Sequence, residues 1–311
     1  MTVAIDTLNS AFSKTKKLFF PIDRAYWLRM GFINLFGGRP GNGFSGGNSY
    51  STSSESPDVN FASFITRYGL LLGIAFIAFF VLMLFFTYLN SVFTFMFIEG
   101  VLHKSIKIRK SFRANHSLGL NIFFVKLITG MITIAGIAVI LSPVIIALLN
   151  GTLSSFNYWL FVPMFLGFFI FFLALIIFWF IVYDFVMPVM YLKNYRFARA
   201  WHHVIKKIRD RKGEIGLYWL IKVGLSIALN IATIILAIFV AIILLIPFAL
   251  IGLGIYFLLL MASQTAAIIV TATYAAVVIL LIIYAISVIF VPVAAFFRLW
   301  SIEMVRKLKA A

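Results

Sequence analysis

Residues 223–297 read VGLSIALNIATIILAIFVAIILLIPFALIGLGIYFLLLMASQTAAIIVTATYAAVVILLIIYAISVIFVPVAAFF, 75 positions without an Asp, Glu, Lys or Arg, and the first charge on either side is basic, Lys222 and Arg298. Such a stretch belongs in hydrocarbon, where every backbone amide is satisfied within its own segment and a charge at the bilayer centre costs about 2.5–3.5 kcal/mol. Soluble cores are not built this way. The remaining composition agrees: the 311 residues are 63% hydrophobic and 11% charged, with a mean hydropathy of +1.09, too little polar surface to cover a water-soluble globule.

Working outward, residues 68–98 carry no charge, residues 118–149 carry only Lys126, and residues 158–192 carry only Asp184. Each exceeds the ~20 residues needed to span a bilayer. The uncharged turn at residues 150–157 makes the second and third a hairpin. The block from 215 to 297 is too long for one crossing, and charge decides how to divide it. Residues 193–212 hold eight Lys or Arg against one Asp, and Arg298, Arg306, Lys307 and Lys309 stand against Glu303 in the tail. Basic connectors stay in the cytoplasm, so an even number of crossings is required. Two long helices, 215–246 and 265–300, satisfy this. Pro247 as a breaker, with Gly252 and Gly254 after it, predicts a re-entrant or outer-leaflet segment over 247–261.

The same rule puts residues 103–116, with five Lys or Arg and no acid, on the cytoplasmic side. The expected fold is therefore an all-α polytopic transmembrane bundle of five spans, with interfacial amphipathic helices. A sixth span is open, because Lys14, Lys16, Lys17, Arg24, Arg29 and Arg39 also ask to be cytoplasmic. Either residues 18–38 cross, or they lie in the interface with Tyr26 and Trp27 at headgroup level, which the charges of Asp23, Arg24 and Arg29 favour. Two regions follow: a basic, interfacial segment with a Gly/Ser-rich loop over residues 1–60, and a transmembrane domain over 61–311. Residues 1–17 lack the apolar run of a secretory signal, and none is expected.

The net charge of +17 sits in short segments flanking apolar spans, which argues for topology rather than nucleic acid. With no cysteine, disulfides and thiol chemistry are excluded. The chain also repeats a plan. After residue 99 and again after residue 187, an apolar helix ends near Gly100 or Pro188, a basic connector follows, and Leu-Gly-Leu or Ile-Gly-Leu opens the next helix. A lone Lys, Lys126 or Lys222, lies about two turns on. A truncated third copy begins at Pro292. Repeats of this kind occur in transporters and in duplicated hairpins without a transport role.

In the second connector Phe197, Trp201, Val204, Ile205 and Ile208 recur at helical spacing, with Arg199, His203, Lys206 and Lys207 on the other side. This predicts an amphipathic surface helix whose four basic groups are candidates for anionic lipid headgroups, each worth about 1 kcal/mol. Intramembrane ionisable residues are the other candidates. Cross-pairing of Glu99 and Asp184 with Lys126 and Lys222 would neutralise all four; alternatively the lysines snorkel, or the acids serve a proton or ion path. No catalytic, cofactor or metal site is expected. Gly43 to Gly47 matches a nucleophile-elbow string without the strand and helix that string needs. The four histidines lack ligand spacing. Gly69 and Gly73 form a GxxxG suited to close helix packing, and Asn150-Gly151-Thr152 is a glycosylation sequon.

At YDFVMPVMYL (183–192), FVPVAAFFRLW (290–300) and PIDRAYWLRMGFINLFGG (21–38) the chain resembles an uncharacterised multi-pass membrane family common in archaea. More distantly it is similar to the membrane domain of some glycerophosphodiester phosphodiesterases, without their acidic catalytic domain. The resemblance implies architecture and a cell-membrane location, and no chemistry. The expected function is a non-enzymatic component that organises membrane lipids, including anionic ones, or a protein partner or second copy. A transporter or channel built from the repeats is the alternative.

Overall fold

The computed structural model describes residues 3–37, 61–104, 106–150 and 158–310, and among these the secondary structure is helical. In chain order the helices are α1 (Val3–Phe19), α2 (Arg24–Gly37), α3 (Phe61–His103), α4 (Ile108–Leu149), α5 (Phe161–Ile181), α6 (Met187–Lys193), α7 (Phe197–Asp210), α8 (Lys212–Leu260) and α9 (Gln264–Ala310). One turn of π-helix, Val182–Val186, joins α5 to α6. Five helices are long and apolar enough to cross a membrane: Tyr68–His103, Ile108–Leu149, Phe161–Lys193, Lys212–Leu260 and Gln264–Lys307. The Gly43–Gly47 string and Gly151-Thr152 of the sequon lie outside the described residues.

The buried core lies at the end of the bundle that carries the basic connectors. It gathers Val92–Met96 and Ile98 of α3, Val182–Met187 around the π turn, and Val291, Ala295, Trp300 and Ile302 of α9. Away from this end the long helices separate, and residues 70–83 of α3 and 231–246 of α8 present large apolar side chains outward. Exposed Leu, Ile and Phe along such lengths suit a lipid solvent, where apolar surface costs nothing to leave uncovered.

Pro247 does not interrupt α8, which runs unbroken from Lys212 to Leu260, so the expected re-entrant segment is instead the distal part of one helix. A proline inside an α-helix loses one backbone bond, and a packed neighbour can hold the helix together across it. Past the proline α8 packs on α9, whose Tyr274 hydroxyl donates to the Phe248 carbonyl at 3.0 Å while its ring lies over Gly252. The reversal comes later. Ala262 and Ser263 both donate their amides to Leu259 O, and Ser263 opens α9.

The segment expected either to lie flat or to cross forms a helix of fourteen residues, too short to cross. Asp23 caps α2 by accepting from the amides of Ala25 and Tyr26, and the helix then wedges between α3 and α9. Tyr26 donates to Gly100 O, Arg29 to Ile106 O, and Asn34 to Ser287 O. At its far end Gly37 abuts α3 so closely that a Cβ there would fall 2.4 Å from the Phe93 carbonyl carbon. Fourteen residues rise about 21 Å, short of the roughly 30 Å hydrocarbon core. The charges Asp23, Arg24 and Arg29 stay at its first turns.

Candidate functional site: a cavity with a charged floor

Pro188 has no amide to give the residue four positions back, so the Asp184 carbonyl is released, and the chain widens into the π turn that precedes it. The last helix collects what is freed. Ser301 Oγ donates to Asp184 O, and Arg298 Nη1 donates to Tyr183 O at 2.8 Å. The same turn aims the Asp184 side chain at α8, where Lys222 Nζ donates to Oδ2 at 2.7 Å and to the Tyr218 hydroxyl at 2.9 Å. Asp184 and Lys222 are both 3% exposed. Buried together, each supplies the counter-charge that the missing water cannot.

Lys126 also reaches a neighbouring helix, with a different kind of partner. It reaches back from α4 to Asn90 Oδ1 on α3, while Asn90 Nδ2 donates to Phe36 O of α2. The two lysines and their partners stand 36 and 38 positions apart in sequence. Lys222 is thus neutralised by a carboxylate, whereas Lys126 meets a neutral amide. Glu99 is elsewhere engaged, accepting from Ser111 Oγ at 2.9 Å and from Asn115 Nδ2 on the first turns of α4. Of the expected cross-pairs, the structure brings Lys222 to Asp184 and leaves Glu99 and Lys126 apart.

These groups line one large cavity of about 1960 Å³. Its floor holds Lys126, Asn90, Asp184, Lys222 and Arg298, with Asn34 and Ser287 beside them. Its walls are side chains such as Phe79, Phe86, Phe172, Ile231 and Ile238, drawn from α3, α5 and α8. The volume is roughly twice the upper end of the 300–1,000 Å³ usual for small-molecule sites. Charge below and hydrocarbon above is the polarity of an amphiphile. Sequence reading overlooked Asn90, Arg298 and Ser301. Pro188 was the one signal for the last two, since it marks an acceptor four residues upstream.

Over residues 2–311 the chain matches a family of unknown function, DUF7544. It belongs to that family. No curated protein and no solved structure matches.

The surface candidates in this DUF7544 chain divide into two pairs. α7 turns Ala200 and Val204 to the core, and Trp201 packs its ring against Phe178. Arg199 and Lys206 are exposed, with Arg199 5.8 Å from the Tyr195 ring centre. His203 and Lys207 instead turn under the helix, where His203 Nε2 lies 2.9 Å from Lys193 Nζ beside Phe185 and Val305. Gly73, expected to seat a neighbouring helix, has open space around it. Among the described residues no three His, Asp or Glu side chains converge.

Proposed function

We propose that the protein is a non-catalytic membrane component that holds lipid between its helices, with its basic connectors and the 298–310 end of α9 on the cytoplasmic side of the cell membrane. The cavity carries this reading: its walls are mostly of the same chemistry as acyl chains, and its charged groups, Lys126, Asp184, Lys222 and Arg298, stand against them. An exposed cationic pair, Arg199 and Lys206, lies on the connector at that same end and suits contact with an anionic leaflet. The likeness to archaeal multi-pass proteins and to phosphodiesterase membrane domains adds architecture only.

One observation favours transport as a second reading, namely that the cavity reaches Asp184. Against it stand the mostly apolar walls, where Thr87, Ser226 and Asn230 are among the few polar side chains beyond those of the floor to meet a hydrated ion or small polar solute. Purification from native membrane into nanodiscs, followed by mass analysis of lipid retained through detergent washing, tests the first reading. One or a few tightly held lipids per chain are expected. Release of all lipid at the rate of bulk annular lipid would overturn it.

A further inference from the structure

We infer that the lipid held in the cavity is anionic and that its phosphate pairs with Lys126. This rests on the lipid-holding reading above and adds the headgroup. Lys222 has its counter-charge in Asp184, but the partner of Lys126 is the uncharged side chain of Asn90. Neither of the two carboxylates on the neighbouring spans comes to it: Asp184 is taken by Lys222, and Glu99 by Ser111 and Asn115. The cavity lining therefore carries three basic side chains, Lys126, Lys222 and Arg298, against one carboxylate, Asp184. An intramembrane ammonium facing a cavity needs a counter-anion, and of its three N–H donors Asn90 takes one. A phosphate oxygen fits the others, and its acyl chains would lie along Phe79, Phe86 and Phe172. The apolar walls select a membrane lipid over a free anion, which would leave them unfilled.

The test uses the full chain in nanodiscs of equal phosphatidylglycerol and phosphatidylcholine, reading by mass spectrometry which lipid stays bound after transfer to detergent. Phosphatidylglycerol should exceed phosphatidylcholine by about fivefold or more, the ratio one cationic contact with an anionic headgroup supplies. Lys126→Gln should bring the ratio near one, and Lys126→Arg should keep it. Asn90→Asp gives Lys126 an in-chain carboxylate like that of Lys222, and should lower the ratio with the lysine still present. Circular dichroism checks folding, and if Lys126→Gln does not fold, Asn90→Asp decides. Equal retention of both lipids by the wild type overturns the headgroup assignment while leaving lipid holding intact. An unchanged ratio in Asn90→Asp and Lys126→Gln does the same. Displacement of phosphatidylglycerol by inorganic phosphate overturns the choice of lipid over free anion. Failure of the wild type to retain either lipid overturns the lipid-holding reading itself.

Discussion

Asp184 contributes twice to the same junction, its carbonyl to Ser301 and its carboxylate to Lys222, because Pro188 opens the helix beneath it. Removing only the charge isolates the second contribution. Asp184→Asn leaves a buried ammonium without its counter-ion and should destabilise by about 3–5 kcal/mol, whereas Asp184→Leu with Lys222→Met should recover most of that loss. Reversible unfolding in mixed micelles reads both. A double variant as unstable as the single one would show that the polar pair itself is needed. Lys126 and Lys222 were legible in the sequence as lone charges in apolar runs, and so was Asp184. Their partners were not, since a carboxylate and an amide at equivalent places look alike until packing selects them. Glu99 illustrates this: its neighbours Ser111 and Asn115 are ordinary polar residues in a basic connector, brought to it by the tight turn into α4.

Helices meet here through small residues, and the positions that need them are few. Gly37 lies against the Phe93 backbone, while Gly73 faces open space. Gly37→Ala should therefore cost about 1–3 kcal/mol by forcing α2 from α3. Gly73→Ala should change stability by no more than about 1 kcal/mol, the scale of helix propensity. The same unfolding assay compares them; equal losses would contradict the wedge position of α2. At this scale the sequence revealed the spans through charge-free length and missed one feature through a rule carried over from water. Pro247 reads as a breaker where solvent competes for the freed carbonyl, yet α8 runs through it, packed on α9 one residue further on. The charges of α2 left crossing and interfacial positions both open, and all of them fall at its first turns while the helix packs between α3 and α9. Residues 38–60 and 151–157 lie outside the described residues.

Across the whole molecule the apolar lengths are unequal. α8 is uncharged over residues 223–260, or about 57 Å of rise, nearly twice the roughly 30 Å hydrocarbon core. Even a tilt of about 40°, the upper end of the usual range, projects this to about 44 Å, so the hairpin tip at Met261 reaches through the far headgroup region. If the proposed orientation holds, amine reagents added to one face of sealed vesicles should reach both Lys107 and the exposed Lys206 beside Lys207, while a cysteine placed at Met261 should react only from the opposite face. Labelling of Lys107 and Lys206 from different faces would overturn the topology. The contacts of α1 and α2 with α9 carry a further implication. Thr7 accepts from the Trp300 indole, Lys14 pairs with Glu303 at 2.7 Å, and Asn34 donates to Ser287, across separations of 293, 289 and 253 residues. A ribosome adding about 5–20 residues per second takes roughly 15–60 s to cover that distance. Throughout that interval the faces of α1 and α2 that bury Ala4, Ala11, Met30 and Ile33 must be shielded by bilayer or chaperone, and assembly closes only when α9 is released from the translocation machinery.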